Sequence, residues 1–249
     1  MTNKKKTVVI SGGMGGVGSA AAKKFAHNNY RVVVLYRNSS EEEIEVARQT
    51  LPEESIFMQC DIRNAQETAQ VIDNIISNTG QIDVAVHAAV DPIRREKITD
   101  MSETSFKSQF EAGFFGAFNF LKPIGNIMKR QKQGTLVGIT SSVIESATTP
   151  ARMGAYTIGK IALRGLLREL HRELSMSSVR VIAVAPELMK TRLNADLPDK
   201  FFEIAKERSI DNSLMTTKEV ANAIVQLCEN TEFPSGMSYL VSSGEKTPI

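Results

Sequence analysis

Seven short runs of β-branched and apolar residues alternate with longer amphipathic stretches, and this alternation restricts the possible folds more than any single motif. The runs span residues 7–11, 31–36, 55–60, 83–87, 134–141, 179–185 and 238–241. Most are apolar throughout rather than at every second position, as in strands covered on both faces. Between them, helical periodicity runs near 16–28, 41–51, 64–79, 103–131, 154–176 and 217–229. Asn64 and Thr217 stand where N-caps belong, and Gly80 and Gly134 where helices stop. This order predicts an α/β fold, a doubly wound parallel sheet of about seven strands flanked by helices.

The 249 residues contain no internal repeat, low-complexity tract or Pro/Gly linker, so one domain over 1–249 is expected. The one long interval without a strand, 187–216, contains Pro198, Asp199 and Lys200 and is expected to act as a substrate lid. A formal net charge of +2 with scattered basic residues argues against a nucleic-acid partner, and Lys4, Lys5 and Lys6 read as a solvated tail. No apolar stretch is long enough to span a bilayer, so no membrane role is expected. Cys60 and Cys228 lie far apart in apolar surroundings and read as free thiols, which suits a cytoplasmic protein.

The first strand runs into Ser11-Gly12-Gly13-Met14-Gly15-Gly16-Val17-Gly18, and a helix follows. Glycines permit a tight turn and close backbone approach to a pyrophosphate resting on the helix N-terminus. Two registers fit, Gly13-x-Gly15-x-x-Gly18 and Gly12-x-x-x-Gly16-x-Gly18. Either makes Ser11, Gly12, Met14, Gly16, Val17 and Gly18 candidate dinucleotide contacts in a Rossmann-type fold. At the end of the second strand an NAD site normally carries an acid for the ribose hydroxyl. Here Tyr36 is followed by Arg37, Asn38 and Ser39, with no acid before Glu41. Arg37 and Asn38 suit a 2′-phosphate, so NADP(H) is expected in preference to NAD(H).

Tyr156 and Lys160 stand four apart in a helical segment and therefore share one face. An ammonium beside a phenol favours the phenolate and lowers its pKa, giving a group that can exchange a proton with a carbonyl or alcohol oxygen. Upstream, Ser142 closes an apolar run, with Ser141 as its neighbour in an alternative register.

With these features in order, the chain resembles the short-chain dehydrogenase/reductase family. Its pattern is most similar to 3-oxoacyl-acyl-carrier-protein reductases and related carbonyl reductases. The resemblance implies that Tyr156 protonates a nascent alkoxide and that Lys160 holds the nicotinamide ribose and tunes Tyr156. Ser142 would steady the substrate oxygen. It further implies that Asp61, with Ile62 beside it, borders the adenine. Ala88 and Ala89 would let backbone pass the cofactor, Pro186 would lead to the nicotinamide, and Thr191 would bond its carboxamide. A homodimer or homotetramer is implied through helix 103–131 and the Tyr156 helix, where phenylalanines such as Phe115, Phe118 and Phe120 would be core or subunit contacts.

Three positions depart from the family pattern. His87-Ala88-Ala89-Val90 stands for the usual Asn-Asn-Ala-Gly, with His87 expected as a satisfied core histidine. Gly113 falls where an asparagine normally holds a proton-relay water, and Glu187 follows Pro186 in place of glycine. The leading expectation is NADPH-dependent reduction of a ketone or 3-oxoacyl-type carbonyl, on a small molecule or an acyl thioester. The alternatives are an oxidative secondary-alcohol dehydrogenase of a specialised biosynthetic pathway, or an NADP-binding structural or regulatory protein with impaired turnover. Arg94, Arg95, Lys97, Lys129 and Arg130 read as surface charge, although they would suit the rim for an acyl-carrier-protein partner.

Overall fold

Most of the apolar runs have two buried faces because helices cover both sides of one sheet, and the edge run at Ile56–Gln59 is only partly buried. The computed structural model describes residues 5–145, 152–209, 211–242 and 245–248, without the side chains of Arg208 and 245–248. Lys4 lies outside the described residues, whereas Lys5 pairs with Glu54 at 2.5 Å. The strands are β1 (Thr7–Ser11), β2 (Arg31–Tyr36), β3 (Ile56–Gln59), β4 (Val84–His87), β5 (Gly134–Ile139), β6 (Val179–Pro186), β7 (Ser238–Ser242) and β8 (Glu245–Pro248). The helices are α1 (Gly16–His27), α2 (Glu41–Arg48), α3 (Ala65–Thr79), α4 (Glu103–Ser108), α5 (Gly116–Gln131), α6 (Gly154–Leu174), α7 (Asp199–Arg208) and α8 (Thr217–Glu229).

The sheet order is β3-β2-β1-β4-β5-β6-β7-β8, with the first seven strands parallel. The strand β8 is antiparallel to β7 and extends the sheet beyond the seven expected strands. Its sequence, short and carrying charge and a proline, lacks strand character of its own. Its pairing comes from the neighbouring edge.

Alternation along β1 shows how both faces are filled. Val8 and Ile10 pack into one layer with residues of α1 and α8, such as Phe25 and Ile224. Val9 points the other way, into a layer with Ile72 of α3, Phe120 of α5 and Leu163 of α6. Each such fully buried aliphatic or aromatic side chain contributes about 1.5–3 kcal/mol. Two faces buried in this way explain why period-two alternation is missing from the sequence.

Several boundaries shift for local reasons. The helix α8 is capped by Thr216 rather than Thr217. The Thr216 hydroxyl accepts from the Glu219 N–H, and the Glu219 carboxylate accepts from the Thr216 N–H. Asn64 caps α3, and Gly80 ends it at φ 74°. Gly134 opens β5 instead of ending the preceding helix, whose C-cap is Lys132. The expected helix 103–131 is broken into α4, a π-helical turn at Glu111–Phe115, and α5. In that turn the Phe115 N–H reaches back to the Phe110 carbonyl, one residue further than in an α-helix. Of its phenylalanines, Phe120 is buried, whereas Phe115 and Phe118 are exposed.

The segment 187–216 is more ordered than its composition indicates. Met189 bridges to Met215, residues Arg192–Asn194 form a 3₁₀ turn, and α7 follows. No helix among the described residues is long and apolar enough to cross a membrane. Cys60 and Cys228 are both free, and burial raises their thiol pKa values to about 11 and about 12.

Candidate active site

A parallel sheet with this order leaves a crevice where neighbouring crossovers part, between the C-terminal ends of β1 and β4. The glycine turn fills the β1 side. Gly12 sits at φ +70°, and a Cβ there would lie 2.6 Å from the Ala89 backbone nitrogen. A Cβ on Gly18 would lie 2.2 Å from the Gly12 carbonyl oxygen. The Gly15 N–H closes the turn on that same carbonyl at 2.9 Å. Gly13 packs instead against Val34, so the Gly12–Gly16–Gly18 register is the one that shapes the turn. The helix α1 then starts with no side-chain cap and no acid in its first turn. Its N-terminal N–H groups and positive dipole end are thus left for an anion. These features fit a dinucleotide pyrophosphate.

A cavity of about 1270 Å³ opens from this turn across the sheet edge. Met14, Gly16, Val17 and Gly18 line one end, and Ala88, Pro186 and Thr191 border the same region. A Cβ on Gly16 would lie 3.2 Å from the Thr191 methyl, which places the threonine over the turn. Tyr156 and Lys160 enter from α6, and Ser141 and Ser142 from the turn after β5. The rest of the wall is mainly aliphatic, including Ile93, Leu188, Leu197, Phe201 and Met215. Much of it comes from 187–216. Glu187 also lines the cavity.

Tyr156 is 9% exposed and Lys160 6%. The Lys160 ammonium donates to the Ile139 carbonyl at 2.6 Å and lies 5.8 Å from the Tyr156 ring centre. Burial lowers its pKa to about 8, against the pull of the Asp91 carboxylate. The Tyr156 phenol is raised by burial, with a Ser141 hydrogen bond and the Arg95 charge acting in the opposite direction. The expected depression of Tyr156 by Lys160 is therefore absent in this state. Desolvation is the leading cause of the raised phenol, and the Lys160 ammonium is engaged by the Ile139 carbonyl. Both candidate serines line the cavity: Ser141 lies on the side that lowers the Tyr156 pKa, and Ser142 begins the 3₁₀ turn Ser142–Ile144. The Ser141 hydroxyl also accepts from the Val143 N–H at 3.4 Å.

Other predicted residues lie at the same sheet edge but outside the cavity lining. Ser11 is buried, and its hydroxyl meets His87 Nδ1 at 2.9 Å, as their paired register on β1 and β4 requires. Ala89 packs on Gly12. Arg37 and Asn38 are exposed just beyond β2. The Asp61 carboxylate is taken up by Arg63, with Nε contacts at 2.9 and 3.0 Å, which holds its pKa below the usual range. Ile62 is buried against Gly116, where a Cβ would come within 2.8 Å of it.

His87 is only half satisfied as a core histidine. Its Nε2 approaches the Gly113 carbonyl without forming a well-directed hydrogen bond, and burial beside Lys160 lowers its pKa to about 3. Two further residues of the site were not singled out from the sequence. Asp91 is buried and accepts from the N–H groups of Ala112 at 2.7 Å and Gly113 at 3.3 Å. Arg95, read as surface charge, lines the cavity and pairs with Asp196 at 2.5 Å and Asn194 at 3.3 Å. A polar residue just past a strand end was the available signal for Asp91. Nothing local distinguishes Arg95 from Arg94.

Comparison with known proteins gives the family of the chain. Residues 12–245 match the protein family described as enoyl-(acyl carrier protein) reductase. The uncharacterized oxidoreductase YohF of Escherichia coli K12 is 30% identical over 190 residues, covering 76% of this chain and 74% of that one. The (+)-borneol dehydrogenase 2 of Salvia officinalis is 29% identical over 203 residues, covering 76% and 70%. The solved structure described as ElxO with NADP bound superposes with a TM-score of 0.87 at 25% identity, over 96% of this chain and 98% of that one. By the glycine turn, the Ser–Tyr–Lys cluster and these matches, the chain belongs to the short-chain dehydrogenase/reductase family and is an oxidoreductase of that family.

Proposed function

We propose that this protein reduces a ketone or 3-oxoacyl-type carbonyl to the alcohol with NADPH, using Ser141, Tyr156 and Lys160. The observation that carries the reading is the state of Tyr156. It is a buried phenol at the cavity wall, its pKa is raised by burial, and Ser141 and Ser142 line the same cavity. A phenol that keeps its proton at neutral pH can give it to an alkoxide, as the reductive reading requires. The glycine turn around Gly12, Gly16 and Gly18 would hold the dinucleotide, whose reduced nicotinamide would supply the hydride for the carbonyl carbon. Ser141 and Tyr156 donate hydrogen bonds to the carbonyl oxygen as negative charge develops there. Tyr156 then passes its proton to that oxygen, and the Lys160 charge stabilises the resulting phenolate. The aliphatic wall from 187–216, tied to the loop after β4 by the Arg95–Asp196 pair, keeps water from the reacting carbon.

Relatives named as dehydrogenases of borneol and of hydroxysteroids support an alcohol–ketone pair as the substrate class. The test is NADPH oxidation measured against a panel of alicyclic ketones, 3-oxoacyl thioesters and 2-enoyl thioesters. Turnover of ketones or 3-oxo thioesters supports the reading. Reduction of only the enoyl substrates would replace it, and tight NADPH binding without any turnover would leave a cofactor-binding protein.

The NADPH preference rests on Arg37. The side chain is exposed at the end of β2, makes no ion pair among the described residues, and has no acid beside it on the strand end. Charge-assisted bonds to a 2′-phosphate contribute about 1.5–3 kcal/mol each. Arg37→Ala is therefore expected to weaken NADPH binding roughly ten- to hundredfold by fluorescence titration, with NADH changed by less than about threefold. Equal losses for both cofactors would remove the assignment.

A further inference from the structure

One ion pair spans the sheet edge above the glycine turn. The strand β6 ends at Pro186, and the chain continues through Met189 to the 3₁₀ turn Arg192–Asn194. That turn is held from behind. The Asn194 N–H donates to the Thr191 carbonyl at 3.0 Å, and the Asn194 side-chain amide donates to the Met189 carbonyl at 3.2 Å. Thr191 sets its methyl over Gly16, the first residue of α1. From the next position the Arg192 guanidinium reaches Glu43 Oε1 at 3.0 Å. Glu43 belongs to the first turn of α2, after β2, and its Oε2 accepts from the Ser40 N–H at 3.1 Å.

The sheet order shows what this pair crosses. Between β6 and β2 lie β5, β4 and β1. The crevice assigned to the dinucleotide opens at the C-terminal ends of β1 and β4, and both partners follow C-terminal strand ends. The pair therefore bridges the crevice from its β6 side to its β2 side. On one side lie Tyr156 and Lys160, in the cavity that Arg192 also lines. On the other lie Arg37 and Asn38, exposed just after β2. A dinucleotide with its pyrophosphate at Gly16, its nicotinamide toward Tyr156 and its ribose phosphate toward Arg37 would pass beneath the bridge.

We propose that Arg192 and Glu43 form a clasp over the dinucleotide site, which opens to let the nicotinamide cofactor in or out and so sets its exchange rate. The proposal rests on the reading of the glycine turn as a dinucleotide site, and its test needs no carbonyl substrate. The Arg192 side chain is exposed and that of Glu43 partly so, which keeps the pair weak enough to break and re-form, as a gate requires. The Arg192 bond, with the Ser40 N–H, holds the Glu43 carboxyl below its usual range, so both partners are charged at neutral pH. On the opposite flank Arg95 meets Asn194 and Asp196, so the turn keeps its place when the clasp opens.

The variants can be chosen to remove the pair and little else. Glu43→Gln removes the charge but keeps an amide oxygen for the Ser40 N–H, so the capping box of α2 survives. Arg192→Gln removes the other partner. Lys190→Gln is the control, because it breaks the neighbouring Lys190–Asp199 pair, which lies wholly inside 187–216. The probe is NADPH, followed by its own fluorescence in stopped flow. Association is read on mixing, and dissociation on displacement by excess NADP⁺.

Association and dissociation are each expected to be about two- to fivefold faster in Glu43→Gln and in Arg192→Gln. Because a gate changes both rates alike, Kd should stay within about twofold of wild type. The double variant should be no faster than either single one, since both remove the same pair. High ionic strength should bring the wild type toward the variants, and Lys190→Gln should match wild type. Wild-type rates in both single variants would overturn the clasp. So would weaker NADPH affinity in Arg192→Gln alone, which would make Arg192 a direct phosphate ligand instead. A wild type that binds neither NADPH nor NADH would remove the dinucleotide reading of the turn, and the clasp with it. If NADPH exchanges as described but no carbonyl is reduced, the clasp stands and the proposed reaction fails.

Discussion

Tyr156→Phe is expected to lower kcat for the preferred carbonyl by about 10²–10⁴-fold, with NADPH affinity unchanged within about twofold. The ring stays buried in α6, so packing is preserved and only the hydroxyl is removed. What is lost is the proton donor and one of the two hydrogen bonds offered to the developing alkoxide. The Ser141 bond and the hydride donor remain, which is why a residual rate is expected rather than none. Single-turnover measurement of NADPH oxidation separates this chemical step from cofactor binding and product release. Turnover that survives in Tyr156→Phe would mean that another group is the acid, and Lys160, with its pKa near 8, would be the next to examine.

Gly18→Ala is expected to have the other large effect, on binding rather than on chemistry. The new methyl would collide with the Gly12 carbonyl oxygen at 2.2 Å, and that oxygen is already fixed by the Gly15 N–H. Backbone cannot yield as a flexible side chain can, so the turn must open and its N–H groups lose their aim. Overpacking of this kind costs about 1–3 kcal/mol. That corresponds to roughly ten- to hundredfold weaker NADPH binding, and to a Tm lower by about 3–10 °C in a protein of this size. Gly165→Ala is the matched control, since nothing lies within 4 Å of a Cβ there and it too sits in a helix. The two measurements are fluorescence titration and thermal unfolding. Wild-type values for Gly18→Ala in both would show that the turn is not shaped as described.

The readings that held are those based on local chemistry. Apolar runs flanked by amphipathic segments dictate a sheet covered on both faces, and seven of its eight strands are visible as runs of β-branched residues. The glycine turn is legible because Gly12 and Gly18 occupy positions where a side chain would meet backbone, whatever surrounds them. Tyr156 and Lys160 are legible because helical spacing alone places them on one face.

What the sequence could not determine depended on distant residues. The choice between Ser141 and Ser142 turns on how the chain leaves β5, which a spacing count cannot resolve. At the break in helix 103–131, Asp91, some twenty residues upstream of the turn, accepts from two of its N–H groups, a contact that no local pattern shows. The pKa of Tyr156 rises because tertiary packing buries it, and four-residue spacing says nothing about burial. Arg95 becomes part of the site only because Asn194 and Asp196 come to it from across the cavity. By itself, then, the sequence determined the layers of the fold, the glycine turn and the shared helix face of Tyr156 and Lys160, since each is set by backbone sterics or helical period. Tertiary structure alone decided which residues meet at the cavity, how deeply Tyr156 and Lys160 are buried and what forms the cavity wall. Those depend on burial and on charges brought together from separate crossovers of the sheet.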